Sequence, residues 1–125
     1  MKNEILSFNK LEKSPSAMEE SINSVLKGGQ YKFATQHESQ TGKLILSLFL
    51  DSGPASKVKA KVIRAQNPDD LQKQVNDFFK NPKIKLKYYT QSGGSKTIIG
   101  VIFYEQEAAQ TTPKDTNTTT TTPSQ

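Results

Sequence analysis

The chain lacks cysteine and tryptophan and has one histidine, His37, and one arginine, Arg64. Without cysteine, disulfide bonds, thiolate metal sites and cysteine nucleophiles are excluded. A single histidine argues against a histidine-rich zinc site and against a self-contained Ser-His-Asp triad. A single arginine argues against extensive bidentate recognition of guanine, for which arginine is the usual residue.

The sequence also lacks a long apolar run. No stretch approaches the length of about 20 residues that a membrane-spanning helix needs, and the first residues carry no apolar segment typical of a signal peptide. We therefore expect a soluble cytoplasmic protein with no membrane partner. The acidic residues Glu12, Glu38 and Asp51 show no pairing typical of acid-base catalysis, so we expect neither an enzyme nor a cofactor or metal.

The C-terminal segment is poor in large apolar side chains and rich in Thr, Pro and Gln from Thr111 onward. Such a segment cannot bury enough apolar surface to offset its own ordering entropy. We expect one domain over residues 1–105 and a disordered tail over residues 106–125.

An internal repeat appears when the chain is aligned with itself at a shift of 53, for example Pro15 with Pro68 and Asn23 with Asn76. The shift holds without gaps from residues 5–51 to residues 58–104, which predicts two units of one supersecondary structure with no change of register. Each unit reads as strand, helix, strand, strand.

Both predicted helices, over residues 15–27 and 68–80, begin with a capping residue followed by proline: Ser14-Pro15 and Asn67-Pro68. Gly28 and Asn81 follow them, and both residue types tolerate the left-handed conformation that often ends a helix. One apolar face recurs at helical spacing in each helix. Its residues are Met18, Ile22, Val25 and Leu26 in the first helix and Leu71, Val75, Phe78 and Phe79 in the second.

The last strand of each unit, over residues 44–50 and 97–104, is apolar on both faces and is therefore predicted to be central in its sheet. We expect Leu71, Val75, Phe78 and Phe79 to be buried against Leu86, Val101 and Phe103. The second apolar set, Ile45, Phe49, Ile98, Ile102 and Tyr104, then needs another partner.

These patterns predict an α+β fold with two tandem strand-helix-strand-strand repeats and two helices. The six strands would form a curled sheet or pseudobarrel, closed about a pseudo-two-fold axis. The alternative is that the second apolar face is buried in an oligomer such as a homodimer.

The positive charge lies in one half of the chain. Residues 1–53 hold six lysines and six acidic residues, whereas residues 54–104 hold nine lysines and Arg64 against three aspartates. Alternation places Lys57, Lys59 and Lys61 on one face of a strand, and it places Lys83, Lys85 and Lys87 with Tyr89 on a face of the next. We expect both rows to point away from the helix, because the helix needs the apolar side.

Two lysine rows in one repeat, and none in the other, favour an anion-binding surface over an ordinary solvated face. We therefore expect a non-enzymatic regulator that binds nucleic acid, RNA or single-stranded DNA, with phosphate contacts dominating and Tyr89 stacking on a base. The predicted site consists of Lys57, Lys59, Lys61, Arg64, Lys83, Lys85, Lys87 and Tyr89.

Other interpretations of the function stay open. A small ligand or nucleotide would bind in a crevice between the repeats of an oligomer, or the lysine face would bind an acidic protein and inhibit it. The Gly93-Gly94 pair forms either a phosphate-binding nest or a simple hairpin turn. Asp69 and Asp70 fit the positive end of the helix dipole better than a metal site.

The order strand, helix, three strands, helix, two strands resembles the PUA-type RNA-binding pseudobarrel. The small size and the lysine-rich, arginine-poor composition also look like small regulators of Gram-positive mobile elements and plasmids, such as the PrgU-like proteins. Both resemblances cover residues 1–105 and imply RNA binding. Each unit is also similar to dodecin-type flavin-binding units, but it lacks the tryptophan on which those proteins stack flavin. Residues 57–104 are similar to a family of small proteins that carries only a sporulation label.

Overall fold

The computed structural model describes residues 1–93 and 97–107, and both repeats have the predicted strand-helix-strand-strand order. The elements are β1 (Lys2–Asn9), α1 (Pro15–Leu26), β2 (Gln30–Glu38), β3 (Lys43–Asp51), β4 (Lys59–Ala65), α2 (Pro68–Phe78), β5 (Ile84–Gly93) and β6 (Ile98–Gln106). Most of the predicted tail, from residue 108 onward, lies outside the described residues. Within the described ranges, neither helix has the length and apolar character needed to cross a membrane.

Both helices begin at the predicted prolines. The Ser14 side chain accepts a hydrogen bond from the backbone N–H of Ala17 at 3.1 Å, and Asn67 accepts one from Asp70 at 2.8 Å, so each N-cap is satisfied. The predicted left-handed helix ends are not seen. In the described part of the chain, positive φ angles occur only at Gly42, Gly53 and Gly93, all of them outside the helix ends.

The six strands form two antiparallel three-stranded sheets, with orders β1-β3-β2 and β4-β6-β5. As predicted, the strand that is apolar on both faces is central in each sheet. The sheets meet at β2 and β5, where the Gln36 side chain donates to the Ser92 hydroxyl at 2.9 Å. Within the described residues, no backbone ladder closes the sheets into a barrel. The α+β fold class with two helices is confirmed.

The two repeats correspond strand by strand, but not at the constant shift of 53. Phe33 pairs with Phe49 in the first sheet, and Tyr88 pairs with Phe103 in the second. The offset is therefore 55 residues between β2 and β5 and 54 residues between β3 and β6. The helices keep the offset of 53, from Ser14 to Asn67. Because strand side chains alternate with a period of two, an offset that changes by one residue moves a side chain to the other face. The prediction of an unchanged register is wrong.

The changed offset decides what each helix covers. Met18, Ile22 and Leu26 of α1 join the main core with the even-numbered leucines of β3, from Leu44 to Leu50. In the second repeat, Leu71 of α2 packs with Ile102 on the outer face of the sheet. Val101 and Phe103, the predicted contacts of α2, belong instead to the main core and are fully buried. Among the predicted contact residues of α2, Val75, Phe78 and Phe79 are only half-buried, and Leu86 is 55% exposed.

The repeats therefore pack head to tail. The helix-bearing face of the first sheet meets the helix-free face of the second sheet, and α2 lies on the far side of the second sheet. A two-fold axis would bring equivalent faces together, so the predicted pseudo-two-fold relation is wrong. Of the second apolar set, α2 covers Ile98, Ile102 and Tyr104, whereas Ile45 and Phe49 lie on a sheet face that neither of the described helices covers.

Helix α1 also protects the free edge of β4. The Asn23 side chain accepts from the Ala60 N–H at 2.8 Å and donates to the Ala60 carbonyl at 3.3 Å. Glu19 accepts from the Val62 N–H at 3.0 Å. These side chains satisfy backbone groups that an edge strand would otherwise leave unpaired.

We expect Asn23→Ala to lower the free energy of unfolding by about 1–3 kcal/mol, because it leaves two part-buried backbone groups of Ala60 without their partner. Asn76, the residue aligned with Asn23, is exposed and is the matched control. Asn76→Ala should change the stability by less than about 0.5 kcal/mol. Urea titration of both variants measures the difference, and equal effects would contradict this role of Asn23.

Candidate anion-binding site

The first predicted lysine row lies on the face that α2 covers, not on the opposite face. Lys59 and Lys61 share this face of β4 with Ile63. Ile63 belongs to the apolar cluster that Leu71 of α2 forms with Ile102, which we call the α2 cluster. The Nζ of Lys61 lies 3.5 Å from Glu19 Oε1 and 6.0 Å from the centroid of the Phe78 ring. The expectation that this row points away from the helix is wrong, because β4 buries Val58, Ala60 and Val62 in the main core instead.

Arg64 holds the fold together at the end of β4. Its guanidinium donates to the backbone carbonyl oxygens of Lys10 and Lys13, at 3.1 and 3.2 Å. These two hydrogen bonds tie the second sheet to the turn after β1. Arg64 therefore has a structural role that its place in the sequence did not indicate.

The second predicted row is interrupted by a β-bulge. Leu86 pairs with Tyr104 and Tyr88 pairs with the adjacent Phe103, so Lys87 is the extra residue between them. On one side of the bulge, Lys85 pairs across the ladder with Glu105, and its Nζ lies 3.7 Å from Glu107 Oε2.

Tyr89 lies on the opposite face from Lys85, so the prediction of a shared face is wrong. Tyr89 pairs with Ile102, packs in the α2 cluster, and lies so close to Gly100 that a Cβ atom there would be 2.5 Å from its hydroxyl. The hydroxyl donates to Gln91 Oε1 at 2.9 Å. Burial raises the pKa of Tyr89, so the phenol stays neutral. The Tyr89 ring therefore packs against the side of the second sheet that α2 covers.

Three lysines from three segments meet in one cleft instead. Lys32 of β2, Lys57 of the linker before β4 and Lys87 of β5 all line a cavity of about 510 Å³. Lys32 is itself a bulge residue, because Tyr31 pairs with Leu50 and Phe33 with Phe49. Equivalent bulges in the two repeats thus aim one lysine each at the same cleft, which we call the three-lysine cleft.

Hydrogen bonds fix the linker wall of the three-lysine cleft. The Gln30 side chain donates to the carbonyls of Pro54 and Ala55, and the Ser56 N–H donates to the Leu26 carbonyl at 3.2 Å. Gly53 has a φ of +143°, a conformation that favours glycine, and its Cα faces the Gln30 side chain. The wall is therefore held in place before any ligand binds.

Positive charge dominates the three-lysine cleft. Among the described residues, Glu105 is the one acidic residue that lines it, and Lys32 Nζ lies 3.8 Å from the half-exposed Asp51 Oδ2. Neither Lys57 nor Lys87 forms an ion pair with a carboxylate among the described residues. An anion entering the cleft would therefore meet two ammonium groups that form no ion pair with the described residues and a third that is weakly paired.

Tyr31 forms the inner side of the same cleft. Its ring stacks on Phe103, with centroids 5.1 Å apart, and its hydroxyl is buried with no hydrogen-bond partner among the described residues. Burial, and secondarily the neighbouring Tyr88, raise the pKa of Tyr31. The phenol therefore stays protonated and adds no negative charge to the cleft.

The other candidate sites from the sequence find less support among the described residues. Within residues 1–93 and 97–107 there is no cluster of three or more His, Asp or Glu residues able to hold a metal. Asp70 lies in the first turn of α2 and accepts from the Gln66 N–H at 3.3 Å, a position that suits the helix-dipole interpretation of the Asp69-Asp70 pair. The Gly93-Gly94 nest lies partly outside the described residues.

Sequence reasoning found Lys57 and Lys87 but missed Lys32, because Lys32 belongs to the neutral repeat. Lys32 is the counterpart of Lys87 at the 55-residue offset between β2 and β5, and that offset is visible only in the strand pairing. The constant shift of 53 aligns it with Lys85 instead. No protein-family model, curated protein or solved structure matches this chain.

Proposed function

We propose that the protein is a non-enzymatic nucleic-acid-binding protein, with RNA as the preferred ligand, and that phosphates bind in the three-lysine cleft. The observation that carries this proposal is the convergence of Lys32, Lys57 and Lys87 from two bulges and a linker. Three like charges in one cleft repel one another in the free protein. Phosphate binding removes that repulsion and releases counterions, so it is favourable.

The residue types fit phosphate binding better than base reading. Lysine is a compact point charge that binds phosphate without the bidentate geometry used to recognise guanine, and the only arginine is occupied with backbone carbonyls. A cavity of about 510 Å³ accommodates part of a nucleotide backbone. We therefore expect strong salt dependence and weak sequence preference.

The choice of RNA rests on a likeness in topology: the order of elements resembles the PUA-type RNA-binding pseudobarrel. In this proposal the protein acts in the cytoplasm as a regulator, as do the small mobile-element proteins that it resembles. The bound RNA would be single-stranded, since a flexible strand can place its phosphates in a cleft between two sheets.

The test is a charge-reversal variant, Lys32→Glu, Lys57→Glu and Lys87→Glu, with single-stranded RNA in fluorescence anisotropy at several salt concentrations. For the wild-type protein, log K should fall linearly with log salt with a slope of about −0.7 per phosphate contact. The variant should lose binding at about 50 mM salt, where the electrostatic contribution is large.

The matched control reverses Lys27, Lys43 and Lys59, three exposed lysines outside the cleft. It changes the net charge by the same amount and should bind far more tightly than the cleft variant. Equal losses would show that net charge, not the cleft, drives binding. Absence of wild-type binding to RNA, DNA and heparin at low salt would end the proposal.

A further inference from the structure

Two apolar surfaces have no role in the three-lysine cleft. One is the helix-free face of the first sheet, which we call the open sheet face. It carries Ile5, Phe33, Ile45 and Phe49. Ile5 is 62% and Phe33 is 44% exposed, so large apolar side chains on this face are accessible beside the polar Ser47 and Thr35.

The other surface is a groove between α2 and β5, which we call the α2–β5 groove. Its volume is about 440 Å³, and it is lined by Leu71, Val75, Phe79, Leu86, Tyr89 and Ile98 together with a few polar residues, Gln91 among them. Leu86 is 55% exposed at its rim. A groove of this composition is suited to an apolar surface rather than to phosphate.

The repeat shows what covers the equivalent of the open sheet face within one molecule. Ile45 pairs with His37 as Ile99 pairs with Ser92, and Phe49 pairs with Phe33 as Phe103 pairs with Tyr88. The open sheet face is therefore the counterpart of the face of the second sheet that is buried against the first repeat. Three of its positions keep the residue class, namely Ile45, Phe49 and Phe33.

The repeat also shows what fills the equivalent of the α2–β5 groove. With the 55-residue offset, Leu86 corresponds to Tyr31 and Gln91 corresponds to Gln36. In the first repeat this position is filled by the second sheet. Tyr31 stacks on Phe103, and the Gln36 side chain donates to the Ile99 carbonyl at 2.8 Å.

We infer that two copies of the chain associate head to tail, with the open sheet face of one copy docked in the α2–β5 groove of the other. This contact continues the interface that already joins the two repeats of one chain. In this contact Gln91 would make the interactions that Gln36 makes within one chain, and Phe49 would make those of Phe103. The contact would bury the apolar side chains of the open sheet face against the apolar lining of the groove, so the hydrophobic effect favours the association.

Such a contact is heterologous, because the two surfaces differ. Each copy keeps one unused surface after pairing, so association proceeds to a ring or to an open chain of copies rather than stopping at a dimer. The open sheet face carries Ser47 and His37 where the buried face carries Val101 and Ser92. Since the first of these exchanges lowers the apolar area, the contact should be weaker than the internal one and should depend on concentration.

The test uses two variants with complementary defects. The face variant, Ile5→Glu with Phe33→Glu, keeps an intact groove, and the groove variant, Leu86→Glu, keeps an intact face. Sedimentation equilibrium from about 10 μM to 1 mM covers the micromolar to millimolar affinity range. We expect the average mass of the wild-type protein to rise well above 13.9 kDa, with no plateau at the dimer unless a ring closes.

Each variant alone should stay at the monomer mass, and an equimolar mixture should form a dimer that grows no further. If the groove variant alone still dimerises while the face variant does not, the faces pair symmetrically and the head-to-tail contact is wrong. A wild-type protein that stays monomeric at every concentration also overturns it, whether or not an apolar dye binds at the groove. Circular dichroism checks the fold. Ile5→Ser with Phe33→Ser, and Leu86→Ser, replace the glutamate variants if either is unfolded.

Discussion

Phe103→Ala should lower the free energy of unfolding by about 3–5 kcal/mol, the range for truncating a fully buried phenylalanine. Phe103 is 0% exposed, stacks on Tyr31 and lies where the two sheets meet. Its removal leaves a cavity between the repeats that neither sheet can fill by a small movement, because both are fixed by their ladders. Urea denaturation followed by circular dichroism measures the loss.

The matched control is Phe49→Ala, since Phe49 is the counterpart of Phe103 on the open sheet face and is half-exposed. It should cost about 1–2 kcal/mol, because less apolar area returns to water. The comparison belongs at a protein concentration of about 1 μM, where weak self-association is absent. A cost for Phe103→Ala no larger than that of the control would mean that the sheets do not pack as described.

The second large effect is expected at Lys10, the one charged side chain that is buried among the described residues. Lys10 is 7% exposed, its ammonium group pairs with Glu38, and it donates to the Thr97 carbonyl at 3.1 Å. Glu38→Ala should cost about 3 kcal/mol, because it leaves a buried ammonium group without its counterion.

The double variant Lys10→Met with Glu38→Leu tests the cause. It removes both charges and keeps the apolar volume, so it should be more stable than Glu38→Ala by about 1–3 kcal/mol. Thermal and urea unfolding of the two variants give the difference. If the double variant is the less stable one, the ion pair itself, and not the cost of an unpaired charge, stabilises this end of the sheets.

Local chemistry made the secondary structure predictable. The pairs Ser14-Pro15 and Asn67-Pro68 fix the helix starts, because a capping oxygen and a pre-set φ act within one turn. The apolar character of both faces identified β3 and β6 as central strands. These signals depend on neighbours in sequence and need no knowledge of the rest of the fold.

The candidate site was only partly predictable, because it depends on how distant parts of the chain pack together. Lys57 and Lys87 were found because lysine is concentrated in the second repeat, but the rows to which they were assigned do not exist as single faces. Tyr89 and Arg64 were assigned to the ligand and instead pack or bind carbonyls. A β-bulge has no residue signature of its own, so Lys32 and Lys87 could not be identified as bulge residues in advance.

The sequence by itself determined two strand-helix-strand-strand units, their helix ends to within two residues, their central strands and the imbalance of charge. Only the tertiary structure decided which face of each sheet meets α1, α2 or solvent. The physical reason is that a strand repeats every two residues. One inserted residue, or a change of one in the offset between repeats, exchanges buried and exposed faces without altering the local pattern. The head-to-tail packing and the three-lysine cleft both follow from that exchange.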